Sequence, residues 1–302
     1  MPRIDRLATL YCAHPLMRIF DENGSNSVPI LMYHSISDSL FGMSHPYYQI
    51  NTSPEVFARQ MKWLRNSGFR TLDLTEAHAA LESGEDVSKT VVITFDDGYR
   101  DFYTDGMAVM KQCGFSATIF LATSRIQDKS VRIEGVDYLT WSEVRELHAQ
   151  GIRFGSHTVT HPDLRSLNLE QLDYELGYSK EVIEQKLGAT VESFSYPFAF
   201  PEEDKGFTRF LVDILENHGF QNGVSTIIGR ARLGDNHLFL PRLPVNSWDD
   251  PDLLRAKVEG GYDWLHWLQW LNKFIHHNAS LMQKASWVNA EGTSKSQLPR
   301  NS

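Results

Sequence analysis

The sequence predicts an α/β fold in which parallel strands are covered by helices, as a closed barrel or an open sheet. Three observations predict it. Strand-like and helix-like segments alternate about seven times along the chain, and the connections between them are short. The strand-like segments are β-branched or continuously apolar, as strands covered on both faces are. Periodicity does not choose between barrel and open sheet, but in both the chemistry gathers at the carboxyl ends of the strands.

The elements follow in order. Residues 1–27 end in a polar run from Asp21 to Ser27 and read as a lead-in to a domain spanning 28–278. Residues 29–33 are a short apolar run suited to a buried strand. Residues 54–67 have helical periodicity (Phe57, Met61, Leu64) and end at Gly68, a C-terminal cap. A strand over 69–74 and a short helix through Ala80 come next. The run Thr90-Val91-Val92-Ile93-Thr94 reads as a buried strand, 103–112 as a helix closed by Gly114, and 117–122 as a strand. Thr140 with Glu143 three residues on is a capping box for a helix to Ala149. Gly151 ends that helix, and 152–155 reads as a strand. Residues 169–187 form a long amphipathic helix closed by Gly188. A strand over 191–196, a helix over 208–217, a strand over 220–226 and a last strand-like segment over 240–245 complete the series.

Composition narrows the class. The chain has 302 residues, enough for one large domain or two small ones, with 41% hydrophobic and 22% charged residues as in soluble globular proteins. Its 7 Trp, 11 Tyr and 17 Phe suit a sugar-binding cleft or simply a large core. A net charge of −9 with no basic cluster speaks against nucleic-acid binding. It leaves room for a peripheral membrane contact carried by local aromatics. Cys12 and Cys113 lie too far apart in sequence for a metal-ligand spacing and form no disulfide framework. Arg3, Asp5, Arg6 and Arg18 interrupt the first 20 residues, which do not read as a secretory signal, and no apolar stretch reaches 18 residues. The expectation is a cytoplasmic protein, with contact at the inner membrane face left open.

Three segments carry chemistry, each just beyond a predicted strand. In Thr94-Phe95-Asp96-Asp97-Gly98, two adjacent carboxylates repel unless a cation or proton compensates, although Asp-Asp-Gly also makes an ordinary turn. In Ser156-His157-Thr158-Val159-Thr160-His161-Pro162, histidines at i and i+4 project from one side of a helical turn that Pro162 cuts short. A lone histidine pair is more often core or surface than ligand. Joined by an aspartate at another strand end, two histidines form an open, catalytic type of metal site. Phe194-Ser195-Tyr196-Pro197-Phe198 reads as a strand running into a bend, with the Phe198 N–H a candidate oxyanion donor.

Together these segments resemble the NodB-type polysaccharide deacetylases. The first matches that family's Thr-Phe-Asp-Asp-Gly motif at every position, and the second its Ser-His-Thr-x-x-His motif in spacing and order. Weaker agreement runs from Ile30-Leu31-Met32-Tyr33-His34 to Arg242-Leu243-Pro244-Val245. The resemblance implies a distorted (β/α) barrel of about seven parallel strands and a divalent metal, commonly zinc. By that analogy Asp97, His157 and His161 hold the metal, Asp96 is the general base, and Tyr196 and Pro197 contact substrate. Many members carry an arginine in the third motif, paired with the catalytic aspartate. Here Ser195 stands at that position, in a Phe-x-Tyr-Pro-Phe variant, and Arg242 in the last strand is the candidate replacement. The usual late Leu-x-x-His motif is not evident, so His34, following the first strand, ranks above His276 and His277 as acid or orienting residue.

Residues 250–278 read as a helix with a wide, Trp-rich face including Trp264, Trp267 and Trp270. It either packs on the barrel or meets a membrane or partner, and the cost of exposing three tryptophans favours burial. The polar tail 279–302 reads as disordered. The expected activity is removal of an acyl group from an amino sugar or glycan. Alternatives are hydrolysis of another linear or cyclic amide, or a non-catalytic carbohydrate-binding role.

Overall fold

In the computed structural model, residues 3–20, 26–38, 49–133 and 135–275 are described. Seven parallel strands close into a barrel: β1 (Ile30–Tyr33), β2 (Thr90–Phe95), β3 (Thr118–Leu121), β4 (Arg153–Ser156), β5 (Ser193–Ser195), β6 (Asn222–Ile228) and β7 (Leu240–Pro244). Each pairs with the next, and β7 returns to β1 through Leu243 opposite Leu31 and Pro244 opposite Met32. Closure leaves no free edge, which decides the barrel over the open sheet. All six residues of β2 are buried, since one face meets the barrel interior and the other the surrounding helices.

The helices form for the expected reasons. Ser53 caps Pro54–Asn66 by accepting from the Val56 N–H, and Phe57, Met61 and Leu64 are its buried face. Thr140 and Glu143 form the reciprocal capping box of Trp141–Ala149. Gly114 and Gly188 close their helices in the left-handed conformation, with φ of 67° at both.

Several elements differ from expectation. The strand at 69–74 shrinks to Arg70–Thr71, which pairs outside the ring with Thr90 and Val91. The stagger of β2 against β3, with Thr94 opposite Thr118, leaves those first two residues of β2 unpaired on that side. Helix 169–187 contains a π-helical turn at Tyr174–Tyr178. The single helix expected over 250–278 is two: Pro251–Val258, then 265–275 after a turn containing Gly260 at φ 87° and Gly261. His276, His277 and the tail 279–302 lie outside the described residues, as do residues 21–25 of the polar run.

The lead-in is itself structured. Residues 4–20 are helical, with a π-helical turn at Thr9–Ala13. Arg3 reaches into a buried ion cluster, where it bonds to Asp249 at 3.0 Å while Lys257 bonds to the same carboxylate at 2.8 Å. Tyr262 donates to Asp5 at 2.7 Å, and His14 Nε2 lies 2.8 Å from Glu259. Trp264 Nε1 donates to Thr9 at 3.1 Å. The N-terminal helical segment is thus fastened to residues 249–264 mainly by polar contacts.

Candidate active site

Every chemistry-bearing segment opens at the carboxyl end of a barrel strand. The first follows β2. Asp97 and Gly98 are consecutively left-handed, with φ of 72° and 75°. A Cβ at position 98 would lie 2.8 Å from Leu121 Cδ2, so this turn needs glycine for space as well as conformation. The reversal sends the two carboxylates into different surroundings.

Asp96 faces Arg242. The guanidinium is fully buried and donates to both carboxylate oxygens, at 2.8 and 2.7 Å. Its remaining N–H groups reach Ser225 O (2.9 Å), Thr94 Oγ1 (3.3 Å) and Ser195 Oγ (3.1 Å). A guanidinium has five N–H donors, and five acceptors from three strands or their ends meet it. Ser195 in turn donates to Asp96 at 3.3 Å. The serine thus stands inside the ion pair, with Arg242 supplying the cation from β7. Burial alone would raise the Asp96 carboxyl, but the Arg242 charge, helped by His157 and His34, outweighs it and holds the group well below the usual range.

Asp97 faces the histidines. Its Oδ1 lies 3.9 Å from His157 Nε2 and 3.6 Å from His161 Nε2, and this buried oxygen has no hydrogen-bond partner. His157 Nδ1 is 2.8 Å from the Ser195 carbonyl, which can only accept. The proton therefore sits on Nδ1 and the Nε2 lone pair faces Asp97. The candidate ligand atoms of Asp97, His157 and His161 all lie within 4.8 Å of one another. Ligands about 2.1 Å from one tetrahedral ion stand roughly 3.4 Å apart, so the residues present fit a divalent cation. Burial first, and then the neighbouring His157, push His161 down to about 4, which keeps it neutral and able to donate a lone pair near neutral pH.

The His157–His161 segment is not the helical turn that its spacing suggests. Thr158 and His161 are left-handed, with φ of 69° and 60°, and the loop is bent rather than coiled. Glu175 explains how it is held. This buried carboxylate accepts from the Val159 and Thr160 N–H groups at 2.8 and 2.9 Å and from the Thr160 hydroxyl at 2.7 Å. Thr158 Oγ1 accepts from the His161 N–H, and Ser156 Oγ from the Thr158 N–H. Glu175 lies in the π-helical turn of helix 169–187, where the added residue changes which face meets the loop. Sequence reading passed over it; the available signal was a charged residue on the apolar side of a long amphipathic helix.

His34 follows β1, and its Nε2 is 4.0 Å from Asp96 Oδ2. Burial lowers its pKa despite the two nearby aspartates. Phe198 is left-handed, with φ 58°; its ring lies 4.5 Å from that of His161, and its carbonyl accepts from Thr226. Tyr196 and Pro197 are the residues expected to contact substrate. Both are buried, and the Tyr196 ring packs edge-on against Phe200. Phe198, more than half exposed, is the residue of this bend that faces outward.

A closed parallel barrel with a carboxylate–histidine cluster at the carboxyl ends of its strands has the architecture of a barrel enzyme. Comparison with known proteins makes the class specific. The polysaccharide deacetylase family model matches residues 83–223. YxkH of Bacillus subtilis, classed with the polysaccharide deacetylases, is 33% identical over 233 residues, covering 77% of this chain and 76% of its own. The poly-beta-1,6-N-acetyl-D-glucosamine N-deacetylase of Staphylococcus aureus is 21% identical over 240 residues, covering 74% of this chain and 80% of its own. The solved structure of the Streptococcus pyogenes deacetylase PplD with acetate superposes with a TM-score of 0.65 at 24% identity, covering 77% of this chain and 98% of that one. The chain belongs to the polysaccharide deacetylase family and is a hydrolase of the sugar-deacetylase type.

Proposed function

We propose that the protein is a metal-dependent N-deacetylase that removes an acetyl group from an amino sugar within a glycan. The observation that carries this reading is the division of labour between adjacent aspartates: Asp96 is clamped by Arg242, while Asp97 turns an unpartnered oxygen towards two histidines. Asp97, His157 and His161 are the residues that would hold the ion, and zinc suits their nitrogen and oxygen donors. When bound, a divalent ion supplies Lewis-acid polarisation and makes water more acidic.

The protein's own groups carry the protons. Water adds to the amide carbonyl carbon, and Asp96, kept ionised by Arg242, accepts its proton. The proton passes towards His34, which lies 4.0 Å from Asp96 and starts neutral. The C–N bond then breaks, the amine nitrogen takes that proton, and acetate leaves. The Phe198 N–H is the proposed donor to the oxyanion formed between these steps. The name of the Staphylococcus aureus relative makes N-acetylglucosamine polymers the first substrates to examine.

The experiment is amine release, read with fluorescamine, from acetylated glucosamine oligomers, free acetylated sugars and nucleotide-linked ones, using metal-loaded protein. The reading expects amine and acetate in equal amounts from at least one acetylated sugar. Cleavage of simple non-sugar amides with none from any sugar would overturn it.

A further inference from the structure

We propose that the two terminal helices form a single docking face for the surface of a phospholipid bilayer. Both helices are built inside out. In 3–19 the buried residues are Arg3 and Thr9, whereas Ile4, Leu7, Tyr11, Leu16 and Ile19 are exposed, Ile4 and Tyr11 by 76% and 73%. Their spacing follows one helical stripe, shifted by one residue across the π-helical turn Thr9–Ala13. The helix 265–275 repeats the arrangement. Beyond Leu265, which is buried in the core, its inward contacts are polar: Gln269 bonds to the Ile228 N–H and the Thr226 carbonyl, Lys273 to the Phe200 carbonyl, and His266 Nε2 lies 2.9 Å from Glu202. Its outward face carries Trp267, Leu268, Leu271 and Ile275, with Trp267 exposed by 74%.

An ordinary surface helix does the reverse, turning its apolar stripe to the core. The Trp264–Thr9 bond ties the two helices together where they meet. Exposed apolar side chains on neighbouring elements are a mark of interaction sites.

Charge selects the occupant. The chain as a whole is acidic at −9, yet these two helices carry one carboxylate, Asp5, and it is turned inward to Arg3 and Tyr262. Among the exposed residues of both helices the single charged one is Arg18, a cation. A surface of Trp, Tyr and branched aliphatics with no exposed acid suits the head-group boundary of a bilayer. A second copy of the chain would bring another large negative charge and would call for a polar, hydrogen-bonding rim. No helix among the described residues is long and apolar enough to cross a membrane, so the contact is with the surface.

The test is flotation of the full chain with vesicles of phosphatidylcholine, with and without a quarter of phosphatidylglycerol. The wild type is expected to float with both, carried by the apolar face, and no more strongly with the anionic vesicles, which its net charge of −9 disfavours. The double variants Trp267→Ser with Leu271→Ser, and Ile4→Ser with Tyr11→Ser, are each expected to partition at least about tenfold less at an unchanged unfolding midpoint. A loss of partition in one pair alone would overturn the single joint face. Absence of flotation with either vesicle overturns the proposal. So does a dimer that the same substitutions dissociate while flotation is unaffected.

Discussion

The carboxyl rim of the barrel and the flank bearing the terminal helices treat polar side chains in opposite ways. At the rim, charges are taken out of water and matched almost donor for acceptor: Arg242 meets five acceptors, and Glu175 answers two amides and a hydroxyl. The conspicuous unmatched atom there is Asp97 Oδ1, beside two imidazoles. On the flank, polar groups serve to fasten two helices, and the apolar residues face outward. An unmatched polar atom inside and an unmatched apolar face outside each leave room for a partner, which we propose to be an ion in the first case and a lipid surface in the second.

The comparison is broken most severely at the ligands. His157→Ala or His161→Ala is expected to abolish stoichiometric metal binding and amine release while leaving the circular dichroism spectrum unchanged. Full metal occupancy in the double variant would contradict the ligand assignment.

Arg242→Met comes next. It leaves the buried Asp96 carboxylate without its cation, so a loss of roughly 3–5 kcal/mol is expected in urea unfolding at neutral pH. The sign with pH follows from the depressed Asp96 pKa. In the wild type, the stabilisation is fully present above the unfolded carboxyl value of about 4 and is lost as pH falls towards the lower folded value. The variant should therefore lose the Asp96 share of acid destabilisation below about pH 4, narrowing its gap from the wild type.

Glu175→Gln sharpens the account of the histidine loop. The substitution keeps the size and weakens three hydrogen bonds to a charged acceptor. The outer partners of metal ligands typically matter by 10–100-fold, so metal affinity by competitive chelation should fall by about that factor. An unchanged affinity would mean the left-handed loop holds itself.

The smallest effect belongs to the flank. Trp267→Ser should change stability by no more than about 0.5 kcal/mol, because little burial is lost. Trp264→Ala, half-buried and bonded to Thr9, should cost clearly more.

Much of this was legible in the sequence where the information was local. The Asp96-Asp97-Gly98 and His157–His161 motifs, the Thr140 capping box and the glycine terminators each lie within a few residues, and the structure forms them where expected. Arg242 was legible at long range because Ser195 left a family position without its cation; the pair forms at 2.7 Å. What was illegible depends on distant partners. The i, i+4 histidines suggested a helical turn because nothing nearby announces the Glu175 carboxylate that stabilises a bent one. The Trp-rich segment was expected to bury its tryptophans, but Gly260 and Gly261 break it, and polar anchors at His266, Gln269 and Lys273 set the helix with Trp267 facing out. Trp264 does pack inward, so that expectation holds for one end of the segment and fails at Trp267.

The central claim is that Asp96 moves protons while Asp97 holds the ion. The most direct test is to measure bound divalent metal and amine release together in Asp96→Asn. The account predicts wild-type metal content with turnover lower by roughly two to four orders of magnitude. Loss of the metal in that variant, or retention of wild-type turnover, would contradict it.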